Sequence, residues 1–138
     1  MDIGTSDQYL KVIQENNRGV NSSLVYFLDQ ENSFNEQAFW QLYNGIVGFI
    51  EKPQSDVVNR ELARILCRIH THILNCFIQH LLPDDVGESK INDLPLEKIE
   101  SYIERLGYAI DGYFTGIVVD EKQMEQVDGL KNPKLYGD

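Results

Sequence analysis

Along most of the chain, apolar and polar positions repeat with a period near 3.6 residues, and this spacing predicts helices. The longest such stretch is 56–82, which contains neither Gly nor Pro. Its polar positions Arg60, Arg64, Arg68, Thr71, Asn75 and Gln79 are spaced four, four, three, four and four, and so fall on one narrow helical stripe. The rest of its circumference carries Val58, Leu62, Ile65, Leu66, Ile69, Ile73, Leu74, Phe77, Ile78 and Leu81. A helix this apolar needs cover on most sides, which makes 56–82 the expected central helix of the fold.

The other elements follow from caps and breakers. Thr5 or Ser6 caps a first helix to about Asn16, with Tyr9, Leu10, Val12 and Ile13 as its apolar side. Asn21 caps a short helix over 22–30. The run 23–28 fits a buried strand equally well, but no partner strand is near, so helix is the preferred reading. Asn35 caps a helix over 36–52, in which Gly45 and Gly48 permit close approach to the long helix or mark a kink. Each glycine costs about 1 kcal/mol relative to Ala in a helix interior. Pro53 ends this helix and Ser55 caps the next. Residues 83–90 read as a polar loop, and Asp93 as the cap of a helix over 96–114 with Pro95 in its first turn. Gly107 and Gly112 weaken the continuity of that helix. The β-branched stretch 115–119 reads as a short strand or a buried extended piece, 121–127 as a last short helix, and 129–138 as a tail that could be flexible. The expected fold is therefore all-α: one domain over 1–138, a bundle of about five to six helices around 56–82.

Charge changes this picture. The 138 residues carry a formal charge of −10. Most of it lies in 84–128, where twelve acids face four Lys or Arg, a net of −8. Such a surface repels phosphates, which argues against direct nucleic-acid binding and suits a basic protein partner. The plainer alternative is that acidity only aids solubility. No apolar run approaches the roughly 18 residues of a membrane span, so no membrane partner is expected. The N-terminus lacks a basic region followed by an apolar core, and the two cysteines fit reduced thiols. Both point to a cytoplasmic protein.

Candidate chemistry is sparse. His72, Cys76 and His80 share one helical face, with Cys67 and His70 on another side. A pair four apart can chelate a transition metal, but no CxxC, HExxH or ExxH pattern supplies the remaining ligands. Core cysteines and polar-edge histidines are the favoured reading, so no metal and no cofactor are expected. There is no GxSxG elbow and no phosphate-binding loop, and hence no expected catalytic residue. The most specific pattern lies after Asp93. Glu97, Glu100, Glu104, Tyr108 and Asp111 share one face, with Ile99, Ile103, Leu106, Ile110 and Phe114 expected opposite and Lys98 and Arg105 to the sides. Like charges at this spacing repel by a few tenths of a kcal/mol per pair. A face that tolerates this fits a cationic partner, with Tyr108 as an aromatic anchor. Asp120, Glu121 and Glu125, followed by Asp128, would extend the patch. The plain alternative is a solvated helix face.

The stretch 34–43, FNEQAFWQLY, resembles helical immunity proteins of bacterial contact-dependent growth inhibition and related polymorphic toxin systems, as does the segment 130–137, LKNPKLYG. The resemblance implies a cytoplasmic, non-enzymatic protein that neutralises a basic cognate toxin, often a nuclease, by blocking its active site or substrate surface. Two other classes stay open: an acidic helical adaptor for another basic protein, and a metal-dependent helical enzyme.

Overall fold

The computed structural model describes residues 6–51, 58–82, 90–118 and 120–136, and all regular structure among them is helical. The helices are α1 (Ser6–Arg18), α2 (Leu24–Gln30), α3 (Glu36–Glu51), α4 (Arg60–Leu81), α5 (Ile99–Thr115) and α6 (Glu121–Asp128). Single 3₁₀ turns occur at Leu96–Lys98 and Pro133–Tyr136. The all-α bundle expected from the periodicity is what forms, and 24–30 is helix rather than strand. No helix among the described residues is long and apolar enough to cross a membrane.

Short polar side chains set the helix starts. Ser23, Asn35, Asn59 and Asp120 each accept a hydrogen bond from a backbone N–H in the first turn of α2, α3, α4 and α6. Asn21 and Ser22 have positive φ, so the chain turns there and α2 begins only after Ser23. Asp93 is also left-handed, and the 3₁₀ turn rather than an Asp93 cap leads into α5. Gly116 and Gly129 take the left-handed conformation that closes α5 and α6. The expected Thr5 and Ser55 caps, the breaker Pro53, the start of the long helix at 56–57 and the loop residues 83–89 lie outside the described residues.

Helices α1 and α5 each pack on both α3 and α4, so four helices enclose one core, and α2 closes over α1 and α4. The most enclosed helix is α3, not the longest one. Along α3, Ala38, Phe39, Trp40, Leu42, Tyr43, Ile46 and Val47 are all buried. Helix α4 buries one side through Leu62, Ile65, Leu66, Ile69, Ile73 and Phe77, but Ile78 and Leu81 remain 52% and 56% exposed. At the centre, the rings of Phe39 and Phe34 lie 4.8 and 4.6 Å from that of Tyr102, and Phe34 meets Phe77 edge-on at 6.0 Å. Phe34 is held there by the chain itself: its N–H donates to the carbonyl of Asn92, and the Asn92 N–H donates to the carbonyl of Asn32.

The close approach at Gly48 is to α1 rather than to the long helix. A Cβ at Gly48 would fall 2.4 Å from the Tyr9 ring. At the far end of α5, Ile117 and Val118 are exposed and irregular, so the expected strand or buried piece does not form among the described residues of 115–119; Val119 lies outside them. The segment after Gly129 is anchored up to Tyr136, because Leu130 and Asn132 are buried.

Candidate functional site

Helix α5 divides the candidate residues. Its inner side is Ile99, Tyr102, Arg105, Leu106, Ala109 and Ile110, all buried against α3 and α4. Its outer side carries Glu100, Glu104, Tyr108 and Asp111, all exposed, with Glu97 exposed in the preceding turn. Among the described residues none of these four carboxylates has an ion-pair partner. Phe114 does not take the inner position expected for it. At 100° per residue it lies at the edge of the apolar face, about 20° from Ile103 and 40° from Glu100, and it is 44% exposed, close to the 45% of Tyr108. The outer face thus presents two aromatic rings among unpaired carboxylates. Between them lies Gly107, where an added Cβ would meet nothing within 4 Å.

The second acidic cluster behaves differently. Arg105, expected at the side of α5, is 0% exposed. Its Nε and Nη2 donate to the two carboxylate oxygens of Asp128 at 2.9 and 3.1 Å, Nη1 donates to Glu121 at 3.2 Å, and Nη2 also reaches the Leu130 carbonyl. The guanidinium lies 5.3 Å from the Trp40 ring centre and 5.4 Å from that of Tyr43. Glu121 also accepts from the Tyr43 hydroxyl at 2.5 Å and from the Asn132 amide at 2.9 Å, while Asn132 and Asn44 bond each other. Burial, and then the bond to Glu121, push the Tyr43 hydroxyl well above the usual tyrosine range. Helix α6 buries no residue of its own, so this network is what holds it to α3 and α5.

Of the eight residues expected to bind a partner, Glu97, Glu100, Glu104, Tyr108 and Asp111 are brought together on one exposed surface. Glu121 is not available to a partner: its carboxylate is turned inward onto Arg105. Asp120 is exposed but caps α6, and the Tyr136 hydroxyl donates its one proton between the two Glu125 oxygens, a bond that holds the tyrosine's pKa above its ordinary value. The exposure of Phe114 is not legible from its angle, which lies at the edge of the apolar face; it follows from its place at the end of α5.

The set His72, Cys76 and His80 does not assemble. His80 is buried, and its Nδ1 accepts from the Ile91 N–H at 2.8 Å, while the Lys90 ammonium donates to the free His80 and Leu82 carbonyls at the end of α4. Cys67 is exposed. On the polar stripe of α4, Arg64 pairs with Glu61 one turn back on the same helix. No protein-family model, no curated protein and no solved structure matches the chain.

Proposed function

We propose that this protein is a binding module whose outer α5 face docks a cationic protein partner, and that the partner is a toxin domain the protein neutralises. The observation that carries the reading is the outer face itself: Glu100, Glu104 and Asp111 without ion-pair partners among the described residues, alongside exposed Tyr108 and Phe114. Aromatic rings supply buried contact area at low entropy cost, and surrounding charge sets encounter rate and register. Folding alone favours neither feature, because the carboxylates repel one another and the rings stay wet. Gly107 supports the same reading, since no internal contact requires it and its bare backbone lets a partner approach closely. The toxin identity of the partner draws on the net charge of −10 and on the resemblance of 34–43 and 130–137 to immunity proteins. In this mechanism the acidic face takes the place of a polyanionic substrate, and the non-enzymatic protein acts by occlusion in the cytoplasm.

The test combines Glu100→Lys, Glu104→Lys and Asp111→Lys in one variant. Its association with a basic toxin domain encoded by a neighbouring gene is then measured over a range of salt concentrations. The on-rate should fall at least tenfold and lose its salt dependence, while the melting temperature holds. Unchanged affinity and on-rate would remove the interface from α5. A neighbouring gene that encodes no toxin would favour the adaptor reading, in which the same face binds another basic protein.

A further inference from the structure

Away from the α5 face, α2 and α4 bring together three metal-binding side chains that no local pattern links. His72 and Cys76 are one turn apart on α4, and Asp29 reaches them from α2, 43 residues earlier in the chain than His72. The His72 Nε2 lies 2.7 Å from the Asp29 carboxylate and 3.7 Å from the Cys76 sulfur, and that sulfur lies 4.0 Å from the same carboxylate oxygen. The three donor atoms all fall within 4.8 Å of one another.

This is not the geometry of a thiol–imidazole–carboxylate relay. A relay needs the acid on one ring nitrogen and the thiol on the other, whereas here both approach Nε2. The thiol is also poorly suited to nucleophilic attack, because burial and the adjacent Asp29 charge push it up to about 11. Convergence of O, N and S donors on one point suits a cation. Zinc bonds of about 2.0–2.3 Å give tetrahedral edges of roughly 3.3–3.6 Å. Both edges to sulfur are within a few tenths of an ångström of that span. The shorter N–O edge is a hydrogen bond, which the ion would replace with two metal bonds.

We propose that Asp29, His72 and Cys76 form a three-ligand site for a borderline transition-metal ion of the Zn²⁺ class, with its fourth position open to an exchangeable ligand. Binding exchanges the Cys76 S–H proton, which leaves to solvent, for a metal–sulfur bond, and the proton shared by His72 Nε2 and Asp29 moves to His72 Nδ1, leaving Nε2 and the carboxylate free to ligate. Asp29 and His72 also line a cavity of about 530 Å³ bounded by Arg18, Arg64 and Arg68. Arg18 and Arg68 form no ion pair among the described residues. The cavity therefore suits water or a small anion as the fourth ligand. The site shares no residue with the α5 face and stands whether or not that face binds a toxin.

The test is titration of tag-free protein with Co²⁺ and then Zn²⁺. Cobalt should bind one-to-one with tetrahedral visible bands and a sulfur-to-metal charge-transfer band, and zinc should displace it. Cys76→Ser should abolish the charge-transfer band, and His72→Gln and Asp29→Asn should each weaken binding at least tenfold. Cys67→Ser should leave the spectrum unchanged. Zinc should raise the melting temperature of the wild-type protein but not of His72→Gln, a readout that separates lost ligation from lost fold. Absence of the sulfur band in wild-type protein, its survival in Cys76→Ser, or its loss in Cys67→Ser would overturn the site.

Discussion

Two acidic regions lie within 40 residues of each other and are used in opposite ways. On the outer side of α5, Glu100, Glu104 and Asp111 face solvent with no ion-pair partner among the described residues. In α6, Glu121 and Asp128 turn inward onto one fully buried arginine. The inward acids organise the fold, because α6 has no buried apolar residue with which to hold itself down. The outward acids organise nothing internal, which frees them for a partner. Charge count alone cannot separate the two. What separates them is whether a guanidinium lies within reach.

Removing that guanidinium should have the largest effect. Arg105→Met keeps the volume but leaves Asp128 and Glu121 facing a buried site without a cation. Breaking a buried ion pair from one side costs about 3–5 kcal/mol. The denaturation midpoint should fall accordingly, while Glu104→Lys on the outer side stays within about 0.5 kcal/mol of wild type. Equal midpoints for the two variants would erase the distinction between the regions.

The distinction was only half legible in the sequence. The amphipathic face of α5 could be read because helical neighbours are local, and Glu100, Glu104, Tyr108 and Asp111 announce one another at spacings of three and four. Arg105 could not be read, since a lone arginine on a helix resembles any surface arginine and its acids lie 16 and 23 residues further on. The same limit hid the Tyr9 ring that lies on Gly48 and the Asp29 carboxylate that reaches His72. Length misled in one respect. The longest helix reads as the centre of the fold, yet α3, with aromatic residues on several sides, is the one enclosed. Phe114 is a different case: its angle sets it at the edge of the apolar face, and it is exposed because it lies one residue from the end of α5.

A pair of isosteric changes sharpens the contrast at smaller scale. Glu121→Gln removes one charge from the inner network and leaves Arg105 partly uncompensated, at a cost of about 1–3 kcal/mol. Glu104→Gln relieves repulsion on the outer face and should be neutral or stabilising by a few tenths. Thermal melts of the two proteins under identical buffer conditions would sink the assignment if Glu104→Gln were the more damaging.

The inner region should also declare itself at high pH. The folded Tyr43 hydroxyl resists ionisation beyond the ordinary tyrosine range. The unfolded chain therefore releases that proton first, at about pH 10. Below that pH the group adds no pH dependence. Above it the unfolded state binds fewer protons, so stability falls as pH rises until the folded hydroxyl ionises. Tyr43→Phe loses one hydrogen bond, about 0.5–1.5 kcal/mol near neutrality. Its stability should then decline less steeply between pH 10 and 11, and identical slopes for the two proteins would mean that burial and Glu121 do not hold the Tyr43 hydroxyl protonated in the fold.

The smallest change isolates the outer face. Gly107 sits in the middle of α5, where Gly is unfavourable by about 1 kcal/mol relative to Ala. An added Cβ there meets nothing within 4 Å, so no internal clash offsets the gain. Gly107→Ala should therefore raise stability by up to about 1 kcal/mol, unlike Gly48→Ala, where the new Cβ strikes the Tyr9 ring. If the outer face docks a partner closely, the added methyl that helps the helix should speed dissociation, separating stability from binding at one atom. A stabilised Gly107→Ala protein that holds the proposed cationic partner as long as wild type would mean that such a partner does not approach α5 at its midpoint. The interface would then shift toward one of the two rings, Tyr108 or Phe114.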